Sequence, residues 1–333
     1  MLHVSQRLAV ALALSIVVGC TVQPPVPPEP TPLRVKVFPG AQNLAHYVGL
    51  SKGMFAQHGL KVDLQFTTNS DELRNGLADG AFEIAHAAVD NAVAMVEMAG
   101  KDVVIVVGGD SGMNEFFVQP DIGSVADLRG RTVVVDAPNT AYALVAKKIL
   151  LINGLNPGDY TVKPVGGTFL RLKAMNESKS NAASILNAPF SITATKQGMK
   201  SLGRAVDMIG PYQAGGAFVM RSWAQANGAT LERYLAAYVE ATRWALQPGN
   251  RAECVTLLAE RLKLPPDVAD QTYQMLIDPK SGLAPDAKFN VEGFRNVLAL
   301  RAEIEGQWGG KAPAPDRYLD LTFYDRALKH VGQ

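Results

Sequence analysis

Five corners of the chain join strand-breaking residues to polar or aromatic side chains, and the chemistry they suit is non-covalent recognition. Residues 38–43 (FPGAQN) break an extended run with proline and glycine, then offer two amides at the head of a helix. An amide can cap that helix or contact a ligand, and both roles stay open for Gln42 and Asn43. At residues 84–91 (IAHAAVDN) small residues follow a strand and a polar pair precedes a helix. His86 there is either a ligand contact or a hydrogen-bonded core imidazole, and Asp90 is an N-cap. Residues 136–140 (DAPNT) stop a strand and place Asn139 or Thr140 at the N-cap of the next helix. The free N–H groups and dipole of such an end favour an anion or a ligand carbonyl, or are satisfied as an ordinary cap. The corners at 165–168 and 186–190 bring Asn187 and Phe190, whose ring can close over an apolar part of a ligand or pack in the core. Tyr212, in YQAGG, is the last candidate.

Catalytic signatures are missing. The chain has no phosphate-binding Gly-x-x-x-x-Gly-Lys, no nucleophile elbow and no His-Glu-x-x-His. Gly108-Gly109 lacks the remaining glycines of a dinucleotide fingerprint, and five His with two Cys show no clustered zinc-ligand spacing. No cofactor or metal is expected. Cys254, within a helical pattern and beside apolar positions, reads as a buried structural thiol without a disulfide partner. Lys147 and Lys148 read as a solvated helix face.

The elements that must position these corners alternate. Val/Ile-rich runs (RVKVF, KVDLQF, FEIAHAA, DVVIVVGG) are separated by helical patterns near 42–58, 70–78 and 90–98. A second cycle follows NEFFVQ: RTVVVDA, a helix over 140–153, YTVKPVG, a helix near 169–175, SNAASIL, a helix after Pro189, and RAVDMIG. Alternation of this kind predicts an α/β class with mainly parallel sheets flanked by helices, here as two similar lobes. Ligands in such sheets sit at the carboxyl ends of strands, where all the candidate corners fall. After AFVMR, helices are expected near 231–247, 251–262, 266–277 and 291–305, a helical tail packing back on the first lobe.

The first twenty residues are set apart by Arg7 and a short apolar run over 8–18, the pattern of a signal peptide. That run ends Val17-Val18-Gly19-Cys20, which resembles a bacterial lipobox whose cysteine becomes lipid-modified. Residues 21–32 (TVQPPVPPEPTP), with six prolines in twelve, read as a semi-rigid spacer holding a domain off the membrane. Removing Arg7 with the signal takes the 32 basic and 31 acidic residues to a balance. Nothing in that charge favours nucleic acid as a partner.

Three further stretches carry a resemblance. Residues 49–55 (GLSKGMF) with 58–62 (HGLKV), residues 124–134 (SVADLRGRTVV), and KILLINGL with Ala188-Pro189-Phe190 are similar to the extracytoplasmic solute-binding proteins of ABC importers. The branch resembled handles sulfonates, taurine, nitrate and thiamine-pyrimidine precursors. The resemblance implies a type II periplasmic-binding-protein fold: lobe 1 from 33–117 plus 212–333, lobe 2 from 118–211, with crossings near 117–119 and 210–212. It implies a cleft lined by Gln42, Asn43, His86, Asn139, Thr140, Asn187 and Phe190. It also implies hinge closure on a small solute, an ABC permease as partner, a monomer, and a periplasmic or extracytoplasmic location anchored through Cys20. The same fold hosts sensors and a fungal pyrimidine synthase, but the synthase's cysteine-rich motif is absent here. With no arginine at the corners, the expected solute is a small organic acid or a heteroaromatic with one polar end.

Overall fold

The computed structural model describes residues 29–332. The signal peptide, Cys20 and most of the proline-rich spacer lie outside the described residues. The spacer, expected through Pro32, gives way earlier to strand β1, Thr31–Val37.

Leu33, Val35 and Val37 alternate with exposed or half-buried neighbours along β1, the period of a strand with one face in a core. Next come α1 (Leu44–Ser51), α2 (Met54–Gln57) and β2 (Leu60–Phe66). The single helix expected over 42–58 is broken between α1 and α2 because Gly53 takes a left-handed φ of 69°. Helix α3 (Ser70–Ala78) starts where Asn69 accepts from the Glu72 N–H and the Glu72 carboxylate accepts from the Thr68 N–H. Strand β3 (Ile84–Ala88), α4 (Asp90–Ala99) and β4 (Val103–Asp110) complete the first run.

The second run is β5 (Glu115–Val118), β6 (Thr132–Val135), α5 (Ala141–Ile152), β7 (Thr161–Pro164) and α6 (Thr168–Glu177). It ends with β8 (Asn181–Leu186), α7 (Phe190–Lys196), β9 (Lys200–Arg204) and α8 (Ala205–Ile209). RAVDMIG, expected to close this run as a strand, is mostly helix, and the strand lies just before it. Strand β10 (Gly215–Met220) then leads into α9 (Arg221–Ala226), α10 (Gly228–Leu246), α11 (Arg251–Leu262), α12 (Pro266–Leu276), α13 (Val291–Glu305) and α14 (Thr322–His330).

Two five-stranded sheets result, ordered β2-β1-β3-β10-β4 and β7-β6-β8-β5-β9. In each, one strand, β10 or β5, runs antiparallel to both of its neighbours. These are the strands that follow a passage between sheets. The first passage occupies residues 111–114, earlier than the expected 117–119, because Phe117 already pairs with Ser184 in the second sheet. The second spans residues 210–214. Strand order thus reverses beside β1 and beside β6, placing a switch point in each sheet where strand ends face the other lobe.

The helical tail covers both lobes. Helix α10 packs on α1 and α14, whereas α13 lies along α5 of the second lobe. Lys147 and Lys148, expected on a solvated face, instead reach across to Glu305 at 2.7 Å and Glu303 at 2.6 Å. The tail also protects the edge of the first sheet, since Leu319 bridges to Ile105 of β4.

Candidate functional site

A cavity of about 60 Å³ lies at the seam between the lobes. By the room one water needs, it would take on the order of five waters, the scale of a small solute. Its walls are strand ends and the turns that follow them: Phe38 and Pro39 after β1, His86 to Ala88 on β3, Asp110 closing β4, Asp136 after β6 and Asn187 after β8. Gln42, Ser70, Asn91, Tyr142, Thr168 and Arg171 add to the lining from adjoining helices.

Four residues expected from the sequence meet in this cavity: Gln42, His86, Thr140 and Asn187. Gln42 donates from Nε2 to the Phe38 carbonyl at 3.2 Å, leaving Oε1 buried without a partner. Thr140 is the N-cap of α5, but its hydroxyl donates back to the Ala137 carbonyl at 2.8 Å rather than accepting from the helix. The first-turn N–H groups of α5 therefore have no side-chain cap. His86 lines the cavity and also belongs to the core: its Nδ1 lies 3.5 Å from the Tyr234 hydroxyl, and its ring packs against those of His46 and Tyr238. Burial lowers the His86 pKa to about 3, so the imidazole stays neutral at physiological pH.

Four expected residues lie elsewhere. Asn43 donates to the Phe38 carbonyl at 2.8 Å and the Gly40 carbonyl at 3.2 Å, tying down the turn that it opens. Asn139 turns toward the tail, with its carbonyl accepting from Arg301 at 3.1 Å and its amide facing Met98. Phe190 packs in a small cluster with Phe117, Leu172 and Leu186. Tyr212 is a core residue on the second crossing and lines a separate hollow with Ser111, Pro211 and Lys280.

No arginine stands at the corners themselves, but Arg171, just beyond one of them, reaches the site. It sits one turn into α6, 2% exposed, and lines the cavity. Burial lowers its pKa to about 10, opposed by the charges of Asp136 and Tyr142. Asp110, 6% exposed, is also new to the site. Burial raises its carboxyl to about 6 against the opposing N–H groups of Gly112 and Gly215. A Cβ at 215 would lie 1.9 Å from Asp110 Oδ2, so any larger residue there must displace that carboxylate. Asp136 accepts from the Ser70 N–H at 3.3 Å with one oxygen and leaves Oδ1 buried without a partner. The sequence signal for Arg171 was helical spacing from Thr168; for Asp110 it was the acid ending an otherwise apolar strand.

Contacts across the seam hold the lobes together over the cavity. Gly167 donates to the Thr68 carbonyl at 2.9 Å, and Ala41 to the Ala188 carbonyl at 3.4 Å. Ser70 and Asp136 join the start of α3 to the end of β6. Among the described residues no cluster of metal-ligating side chains occurs, and no helix is long and apolar enough to cross a membrane.

Residues 41–252 match the sequence family described as NMT1/THI5 like. No curated protein matches the chain in sequence. Among solved structures, one from Bordetella bronchiseptica RB50 superposes with a TM-score of 0.78 at 19% identity, covering 91% of this chain and 98% of its own. The periplasmic nitrate-binding protein NrtA from Synechocystis PCC 6803 does so with a TM-score of 0.74 at 14% identity, covering 91% and 90%. The periplasmic aliphatic sulphonate binding protein SsuA from Escherichia coli gives 0.69 at 19% identity, covering 89% and 99%. The architecture is that of the periplasmic binding proteins, two mixed α/β sheets with a helical C-terminal segment.

Proposed function

The chain belongs to the NMT1/THI5-like family, and from that premise we propose that it is an extracytoplasmic solute-binding protein serving an ABC importer. The observation that carries this reading is a small cavity walled by both lobes, with hydrogen bonds such as Gly167 to Thr68 closing over it. A solute placed there touches both lobes only when they are shut. Binding therefore shifts the population toward the closed form by hinge motion about residues 111–114 and 210–214. A permease would read that closure and receive the solute. Gln42, His86, Thr140 and Asn187 are the sequence-derived candidates for solute contact, joined by Asp110, Asp136 and Arg171. Cys20 would carry a lipid anchor, and the proline-rich segment after it would act as a tether.

Native mass spectrometry of the chain lacking residues 1–20, before and after mild denaturation, tests the binder reading. Release of a bound small molecule is expected. A protein that carries nothing and whose melting no solute shifts would end it. For the anchor, Cys20→Ser is expected to move the protein from the membrane fraction to the soluble one, and unchanged partition would remove lipidation at this residue.

A further inference from the structure

We propose that this cleft selects a small solute whose recognised end is an amine or amidine, a positively charged group rich in N–H donors, rather than a bare oxyanion. The inference rests on the solute-binding reading and names the class of solute.

Three buried oxygens around the cavity lack any partner: Gln42 Oε1, Asn91 Oδ1 and Asp136 Oδ1. For the two amides the acceptor face is set by the protein itself. Gln42 Nε2 is committed to the Phe38 carbonyl and Asn91 Nδ2 to the Ala88 carbonyl at 3.2 Å, which fixes the unpartnered atom of each amide as its oxygen. Asn91 is 2% exposed, and water in bulk cannot satisfy it. A buried acceptor without a donor is costly, and all three call for the same thing from the solute.

The charges agree. Asp110 and Asp136 both line the cavity, with Arg171 the cation whose charge meets that of Asp136. Asp110 receives only backbone N–H groups from Gly112 and Gly215. The cation in the wall, Arg171, is already spent. Its Nε donates to Ser184 Oγ at 3.1 Å, Nη1 to the Gly166 carbonyl at 3.0 Å, and Nη2 to Thr168 Oγ1 at 2.9 Å and the Ile185 carbonyl at 3.0 Å. A guanidinium has five N–H groups, so one remains, and no parallel pair is left to clasp an oxyanion. His86, neutral, adds no positive charge. The uncapped N–H groups at the start of α5 can still donate to a carbonyl or carboxylate oxygen at the far end of the same solute. Phe38 and Tyr142 add aromatic surface to the lining.

The test measures thermal shift and calorimetric affinity of the purified protein with methylamine and acetamidine against ethanesulfonate and nitrate. The cationic probes are expected to bind and the anions not to. Asp136→Asn is expected to weaken the cationic probes at least tenfold, with Asp110→Asn as the second variant should the first fail to fold. Tighter binding of ethanesulfonate or nitrate than of either cation overturns the assigned class while leaving a solute-binding protein. Cationic binding unaffected by both variants also overturns it. If neither class binds and denaturation releases no small molecule, the binder reading falls and this inference with it.

Discussion

Asp110→Asn in the ligand-free protein should make stability respond differently to pH. The carboxyl is buried at the end of β4, near the Tyr142 and Tyr238 phenols, with Arg171 the cation in the same cavity wall. Burial raises its pKa from 3.8 to about 6 even though the Gly112 and Gly215 N–H groups favour the charge. At about 1.4 kcal/mol for each pH unit, that rise is worth about 3 kcal/mol. Below pH 4 both folded and unfolded chains hold the proton and the group is neutral in the balance. Between about pH 4 and about pH 6 the unfolded chain ionises while the folded one resists, so wild-type stability is lost as pH rises through this window. Above it both are ionised and the loss is constant. The variant cannot ionise, so its advantage should grow by about 3 kcal/mol across the window and then stay level. Any cost from an amide N–H facing the two backbone donors is independent of pH and only offsets the curve. Urea unfolding of both proteins at about pH 4, 5, 6 and 7.5 measures the difference. Parallel curves would show that Asp110 is not held in a desolvated site.

Three further outcomes follow from packing. Gly167→Val should reduce solute affinity at least tenfold with little loss of stability, because a Cβ there would sit 3.2 Å from the Thr68 carbonyl of the opposite lobe; X-ray scattering that still shows compaction with solute would refute it. Arg301, fully buried, binds both oxygens of Asp90 and the Asn139 carbonyl, so Arg301→Met should cost about 3–5 kcal/mol in urea unfolding by stranding a buried carboxylate. Adding Asp90→Asn should recover part of that loss, and a strictly additive double variant would contradict the coupling. Burial pushes the Cys254 thiol up to about 12, so in a chain beginning after Cys20 no thiol should react with Ellman's reagent until urea unfolds the protein.

The fold was largely legible because strand and helix periods are local. Val-rich runs such as DVVIVVGG can satisfy themselves only in a covered sheet, and the capping pattern at Asn69 and Glu72 marks a helix start whatever surrounds it. The same logic located Gln42, His86, Thr140 and Asn187, since parallel strands carry their following turns to one edge. What escaped was set by tertiary contact. The turn into α5 offers Asn139 and Thr140 as neighbours, and only the tail, through Arg301, decides that Asn139 faces away from the cavity. Gly108 looked like part of a failed nucleotide signature, yet a Cβ there would meet the Lys288 carbonyl at 2.6 Å, so the glycine serves the tail.

Arg171 is the more instructive omission. An arginine at a cleft invites an anion, and its absence from the corners shaped the expected solute. Its presence does not make the cleft an oxyanion site, because Ser184, Gly166, Thr168 and Ile185 consume its donors. A charged side chain counts toward recognition only by the hydrogen bonds it has left. By that measure the cleft is short of donors and long in acceptors, with Gln42 and Asn91 each turned by a nearby carbonyl so that an oxygen is left over. Those turns are local, three and four residues back along the chain, but the emptiness of the oxygens depends on what the opposite lobe does not supply. The solute's chemistry is therefore written in the difference between the two lobes, which no single stretch of the chain contains.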